Sequence, residues 1–95
     1  MKVKAGVKSP ALTLHARSFC ANNPVGSAVG VNSVTTLAGK TVAVSQAQVS
    51  LARDCTIAYK ATGLTIARGN TYTVQVDLNT KNGNALSRTI TIVGV

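Results

Sequence analysis

The sequence predicts an all-β fold, a small sandwich of about seven strands, and three observations carry that expectation. The apolar residues are mostly Val, Ala, Leu and Ile, and Thr is abundant; Val and Thr branch at Cβ and suit a pleated, half-buried surface better than a helix. Apolar residues recur at every second position in several segments, the period of a half-buried strand. Turn signals built on Gly, Asn and Pro separate those segments at short intervals. At 95 residues the chain makes one domain, with a thin core that buries roughly 60–65% of the unfolded surface.

Residues 1–10 set Lys2, Lys4 and Lys8 among Val3, Ala5 and Val7. The parity fits an extended segment with its lysines mostly on one face, and Gly6 and Pro10 argue against a helix. This stretch is expected to be a basic N-terminal arm or an edge strand, which lysines commonly protect; residues 11–95 are expected to form the sandwich. Leu12 and Leu14 alternate with Thr13 and His15 in a short strand, and Asn22-Asn23-Pro24 is a turn. Val25, Val29, Val31, Val34 and Leu37 predict an irregular strand over 25–37, bulged near Gly30. Ala38-Gly39-Lys40 is a turn and Thr41 to Val44 the next strand. Residues 45–54 suit a short helix or a strand through Gln48 to Leu51 equally well.

Cys55, Ile57 and Tyr59 share a face opposite Thr56, Ala58 and Lys60, and Gly63 and Gly69-Asn70 bracket a loop that carries Leu64 and Ile66. The clearest strand follows, with Tyr72, Val74, Val76 and Leu78 on one side and Thr71, Thr73, Gln75 and Asp77 on the other. Leu86 to Val93 is the last strand. A two-residue Asn82-Gly83 turn would set Leu78 opposite Ser87 and Val76 opposite Thr89, apolar against polar. A three-residue Lys81-Asn82-Gly83 loop sets Leu78 opposite Leu86, Val74 opposite Ile90 and Tyr72 opposite Ile92, so the longer loop is predicted, with Gly83 left-handed. It leaves Arg88 beside Val76, with Asp77 as its expected surface partner. The core is expected at Tyr59, Leu64, Tyr72, Val74, Val76 and Ile90.

Tyr59, Gly63-Leu64, the run Gly69-Asn70-Thr71-Tyr72-Thr73-Val74-Gln75-Val76, then Asn82-Gly83-Asn84 and Ser87 together resemble the end of a fibronectin type III or related immunoglobulin-like domain. The resemblance covers about the last third of the chain. It implies that Tyr72 is the corner tyrosine, its ring in the core and its hydroxyl bonded to nearby backbone. The family's strand-C Trp is missing, and Arg68 stands where a Pro usually precedes Gly69. Small Ig-like sandwiches are common in tailed-phage virions as capsid decoration (cement) or tail components, and the acid-poor composition is similar to theirs. By that resemblance the chain is expected to be a structural virion protein, made in the host cytoplasm.

The inventory of reactive side chains is poor. Acid–base catalysis commonly uses paired carboxylates, or His with a carboxylate, and only Asp54, Asp77 and His15 could supply them. Asp54 reads as a turn or cap residue, and His15 is expected to face solvent or a partner. No enzymatic activity and no cofactor are expected. His15, Cys20, Asp54 and Cys55 lack a Cys-x-x-Cys unit, so no metal site is expected. Gly26-Ser27-Ala28-Val29-Gly30 lacks the Gly-Lys-Ser/Thr of a phosphate loop. Cys20 and Cys55 are expected as buried, reduced thiols, with a disulfide as the second reading. No segment reaches the roughly 20 apolar residues of a spanning helix, and no apolar run follows the basic start, so cytosolic synthesis without export is expected.

The charge points to a partner. Ten Lys and Arg stand against two Asp, for a net +8, which attracts anionic surfaces and opposes self-association. Lys2, Lys4, Lys8, Arg17, Lys40 and Arg68 are the expected contact residues. The expected partner is an acidic protein lattice, a capsid shell, with further copies of the chain as a second. A nucleic-acid-binding module is the first alternative, although Phe19, Tyr59 and Tyr72 offer few rings for stacking. An exported Ig-like adhesion domain, stapled by Cys20 and Cys55, is the other.

Overall fold

A computed structural model of the chain describes residues 1–95. Seven strands and one short helix follow in the order β1 (Lys2–Val3), β2 (Ala11–His15), α1 (Arg17–Cys20), β3 (Ala28–Leu37), β4 (Lys40–Ser50), β5 (Thr56–Lys60), β6 (Thr71–Thr80) and β7 (Ala85–Gly94). They form a five-stranded sheet, β1-β7-β6-β3-β4, and a two-stranded sheet, β2-β5. The protein is an all-β sandwich.

Period-two alternation builds the large sheet. Tyr72, Val74, Val76 and Leu78 of β6 are buried, and the residues between them are exposed. Alongside them lie β3, where Val29, Val31, Ser33 and Thr35 are buried, and β7. The β6–β7 register pairs Leu78 with Leu86, Val74 with Ile90 and Tyr72 with Ile92. That is the register of the three-residue loop, and Gly83 takes the left-handed conformation the loop demands (φ 85°). Ala38 and Gly39, also left-handed at φ 52° and 81°, close the β3–β4 hairpin.

Leu12, Leu14, Ile57 and Tyr59 of the small sheet face this layer, and Phe19, Leu51, Leu64 and Ile66 fill the ends of the core. Two strands cannot cover five. Inward positions on β3 and β6 are fully buried, whereas Ala43, Ala47 and Val49 on β4 and Leu86 and Ile90 on β7 are only partly covered. Of the expected core residues, Ile90 therefore sits at the rim. The same overhang resolves Arg88: it does lie opposite Val76, but it reaches solvent past the edge of the small sheet. Its partner is not Asp77. Arg88 Nη1 donates to the Ser87 carbonyl (3.1 Å), and Asp77 accepts from the Ser87 hydroxyl (2.6 Å).

Local structure differs from, or adds to, the reading of the sequence at four places. Of the two readings of residues 45–54, the strand holds over 45–50, because β4 pairs with β3 as far as Ser50. Residues 17–20, for which no element was predicted, form a helical turn, α1. Val25 is 62% exposed and lies outside β3. The bulge lies between Thr35 and Thr36, opposite Val42, and not at Gly30. Gly30 is instead covered by the Asn79 side chain, whose Oδ1 would lie 2.7 Å from an added Cβ.

Residues 1–10 are an integral edge and not a free arm. β1 runs parallel to β7, pairing Lys2 with Val93 and Val3 with Gly94. Val93 N donates to Met1 O (2.8 Å), Val95 N to Val3 O (2.9 Å) and Ala5 N to Val95 O (2.9 Å). The chain then turns onto the β5–β6 loop, where Gly6 N donates to Ile66 O, Ile66 N to Val7 O and Ser9 N to Leu64 O.

Candidate functional site

The hydrogen bonds that fix residues 1–9 also gather charge. Lys2 lies beside the end of β7, and Lys8 forms an isolated bridge with Thr65 of the β5–β6 loop. Arg68 belongs to that loop, whose Gly69 N donates to Gly94 O (3.0 Å). Lys40 follows the β3–β4 turn, at the same end of the sheet, because Leu37 pairs with both Lys40 and Tyr72. Lys4 lies between Val3, which pairs with Gly94, and Ala5, whose N donates to Val95 O. All five side chains belong to exposed residues. The structure thus brings five of the expected contact residues, Lys2, Lys4, Lys8, Lys40 and Arg68, to one end. Lys60 ends β5 opposite Ala11 and lies nearer the middle of the long axis, because the hydroxyls of Tyr59 and Thr62 on either side of it bond to Ser33 and Ser45, a cross-strand pair at the centre of β3 and β4.

Arg17 does not join them. It opens α1 at the opposite end of a molecule that measures 40 × 22 × 17 Å. Arg53 and Lys81 share this second end, which is held by two cross-links. Cys20 and Cys55 form a disulfide with Cα atoms 5.9 Å apart, correcting the expectation of reduced thiols. Their separation of 35 residues in sequence gave no sign of contact. The reason they meet is the β2–β5 ladder: His15 pairs with Thr56, Ala16 N donates to Cys55 O, Cys55 lies just past the last pair, and the α1 turn carries Cys20 back to it. The second cross-link is an asparagine network. Asn23 Nδ2 donates to Phe19 O (2.9 Å) and Asn84 Oδ1 (3.0 Å), and Asn82 Nδ2 donates to Asn22 O (3.1 Å) and Asn23 Oδ1 (3.0 Å). Beside it lies a shallow cavity of about 240 Å³ lined by Asn23, Ser27, Ala28, Lys81 and Asn82.

Neither Asp neutralises the cations. Asp54 accepts from the hydroxyl (2.6 Å) and backbone N–H (3.2 Å) of Thr56 in a local turn. Those hydrogen bonds favour the ionised form and lower the Asp54 pKa; nearby His15 adds a weaker pull in the same direction. Asp77 is occupied by Ser87. Both carboxylates are thus engaged by hydroxyl groups and leave the cations without an ion pair. The chemistry available is ionic and hydrogen-bonding recognition by amines, guanidinium groups and amides.

Comparison with protein-family models, with curated proteins and with solved structures gives no match to any of them. No helix is long and apolar enough to cross a membrane.

Proposed function

We propose that this chain is a non-catalytic docking module of immunoglobulin-like type that grips an acidic protein surface, as a decoration protein on a phage capsid lattice. One observation carries the reading: five of the ten cations, Lys2, Lys4, Lys8, Lys40 and Arg68, project from one end of a scaffold whose N-terminal segment is locked by main-chain hydrogen bonds. Charges held on a fixed frame lose little freedom on binding, so they favour a charged partner of matching shape. The Ig-like part of the reading draws support from strand order. β7-β6-β3 and β2-β5 stand as the G-F-C and B-E strands of an Ig sandwich do. Tyr72 is buried, with its hydroxyl within hydrogen-bond distance of Ala67 N and Thr65 O, as a corner tyrosine requires.

The test is charge removal without truncation. A variant carrying Lys2→Gln, Lys4→Gln, Lys8→Gln and Arg68→Gln should keep its circular dichroism spectrum and lose co-sedimentation with particles from its source. Undiminished co-sedimentation would end the proposal. A gel shift of the native protein on generic duplex DNA at near-physiological salt tests the nucleic-acid alternative; a complex whose stability falls steeply with salt would favour it.

The Cys20–Cys55 bridge favours a second reading, an exported adhesion domain, because disulfides persist outside the reducing cytosol. Virion surfaces are oxidising too, so the bridge fits both settings. Fractionation separates them: recovery of the protein in the cell envelope or medium, and not with particles, supports the adhesion domain.

A further inference from the structure

The two outer edges of the large sheet are built in opposite ways. β1 is two residues long, carries Lys2 and is continued by residues that bond to the β5–β6 loop. Short strands, lysines and covering loops are how edges are kept from pairing with other chains. β4 has almost none of these protections. It is 11 residues long, spanning roughly 33 Å at about 3.3 Å per residue. From Thr41 to Ser50 it holds no charged residue and no proline. Its main chain pairs only with β3, and none of the hydrogen bonds outside the strand ladders uses a backbone group of residues 40–50. Its one bulge falls at Val42, so Ala43 to Ser50 is a regular, open ladder.

Three exposed apolar side chains flank this ladder. Val34 and Val44 are cross-strand neighbours, 39% and 70% exposed, and Val42 is 45% exposed. Cations mark both ends. Lys40 is the first residue of β4, and Arg53 lies three residues beyond its last. Lys60 lies two residues before Thr62, whose hydroxyl bonds to Ser45 of β4 (2.6 Å).

The geometry points to strand addition at β4: an extended segment of an acidic partner protein, about eight residues long, pairs with Ala43 to Ser50. Main-chain hydrogen bonds hold it. β-Branched or apolar side chains on its outward positions extend the Val34–Val44 row, and acidic residues at its two ends meet Lys40 and Arg53. Charge selects this occupant over a second copy. Each copy carries +8, so two β4 edges would join against strong repulsion, whereas an acidic strand is drawn in. The inference rests on the proposed docking function and names the place and the chemistry of the contact.

The probe is a synthetic peptide of alternating Val and Thr with a pair of acidic residues at each end, labelled for fluorescence anisotropy. It should bind the native protein and slow hydrogen exchange at alternate amides of residues 43–50. N-Methylation of its alternate backbone nitrogens should weaken binding about tenfold or more, and so should lysines in place of its acidic ends. Val44→Asp, at a site exposed enough not to threaten folding, should weaken it similarly. Equal binding of the N-methylated peptide, with no protection in β4, overturns strand addition but leaves a purely ionic docking function standing. Absence of binding by the acidic peptide overturns it too, and the particle co-sedimentation experiment then decides the docking function separately. If sedimentation of the protein alone shows a dimer that protects the same amides, a second copy is the occupant and the acidic strand is refuted.

Discussion

Tyr72 is 3% exposed and anchors the β5–β6 loop through its hydroxyl, which accepts from Ala67 N (3.0 Å) and donates to Thr65 O (3.3 Å). Tyr72→Phe keeps the ring and strands both backbone groups, so it should lower unfolding free energy by about 1–3 kcal/mol. Denaturant melts should show a lower midpoint at unchanged slope. Gly94 is needed for close approach: an added Cβ would lie 2.0 Å from the Ala67 carbonyl oxygen. Backbone cannot yield as a side-chain tip can, so Gly94→Ala should destabilise by about 1–3 kcal/mol, read from the same melts. The role of Tyr72 was legible, because the resemblance rests on a local pattern. That of Gly94 was not, because its reason lies in residue 67. Asp54 gives a pH-dependent test. Its lowered pKa stabilises the fold above the ordinary carboxylate range, and that contribution is lost as pH falls through the folded value. Thr56→Val removes the main cause, so the Asp54 carboxyl should titrate at higher pH when followed by NMR.

At the scale of elements, what could be read from sequence was what alternates strongly and locally. β6 and β7 carry apolar residues at every second position, broken only at Arg88, and share a glycine turn, so their register followed from matching faces. β4 was ambiguous because its inward side is only half covered: Ala43, Ser45, Ala47 and Val49 make a weak face, and Gln46 and Gln48 suit a helix equally. The disulfide was misread because it depends on which strands pair, information that a sequence separation of 35 residues does not hold. Its contribution can be measured. Closing a loop of that length restricts the unfolded chain, so Cys20→Ser with Cys55→Ser should cost about 2–4 kcal/mol. Hydrogen exchange should quicken first near Ala16 and Thr56, where the β2–β5 ladder ends. Deleting residues 1–8 is a poor probe of charge. It removes the strand that pairs with β7 and the bonds to Ile66, and should lower the melting temperature as well as the charge.

At the scale of the whole molecule, charge is distributed along the long axis. The outer face of the large sheet presents Thr71, Thr73, Gln75, Ser87, Thr89 and Thr91, with Lys2 only at its β1 edge; five cations crowd one end and Arg17, Arg53 and Lys81 the other, and Lys60 and Arg88 lie between. The ends are separated along a 40 Å axis. The Debye length is about 10 Å at 0.1 M salt and about 30 Å at 0.01 M. At 0.1 M an approaching acidic surface therefore feels one end at a time, and the end with five cations dominates. Neutralising Lys2, Lys4 and Lys8 removes three of those five cations, so it should slow association with a polyglutamate-coated surface by roughly tenfold at 0.1 M. Neutralising Arg17, Arg53 and Lys81 leaves all five in place and should slow it far less. At 0.01 M the surface senses the total charge, and the two variants, each three charges poorer, should converge. At 1 M, where screening is complete within about 3 Å, both should approach the slow rate of the native protein. Surface plasmon resonance across this salt series gives the answer. Equal slowing of the two variants at 0.1 M would mean that total charge, and not its concentration at the Lys2–Lys8 end, governs the encounter.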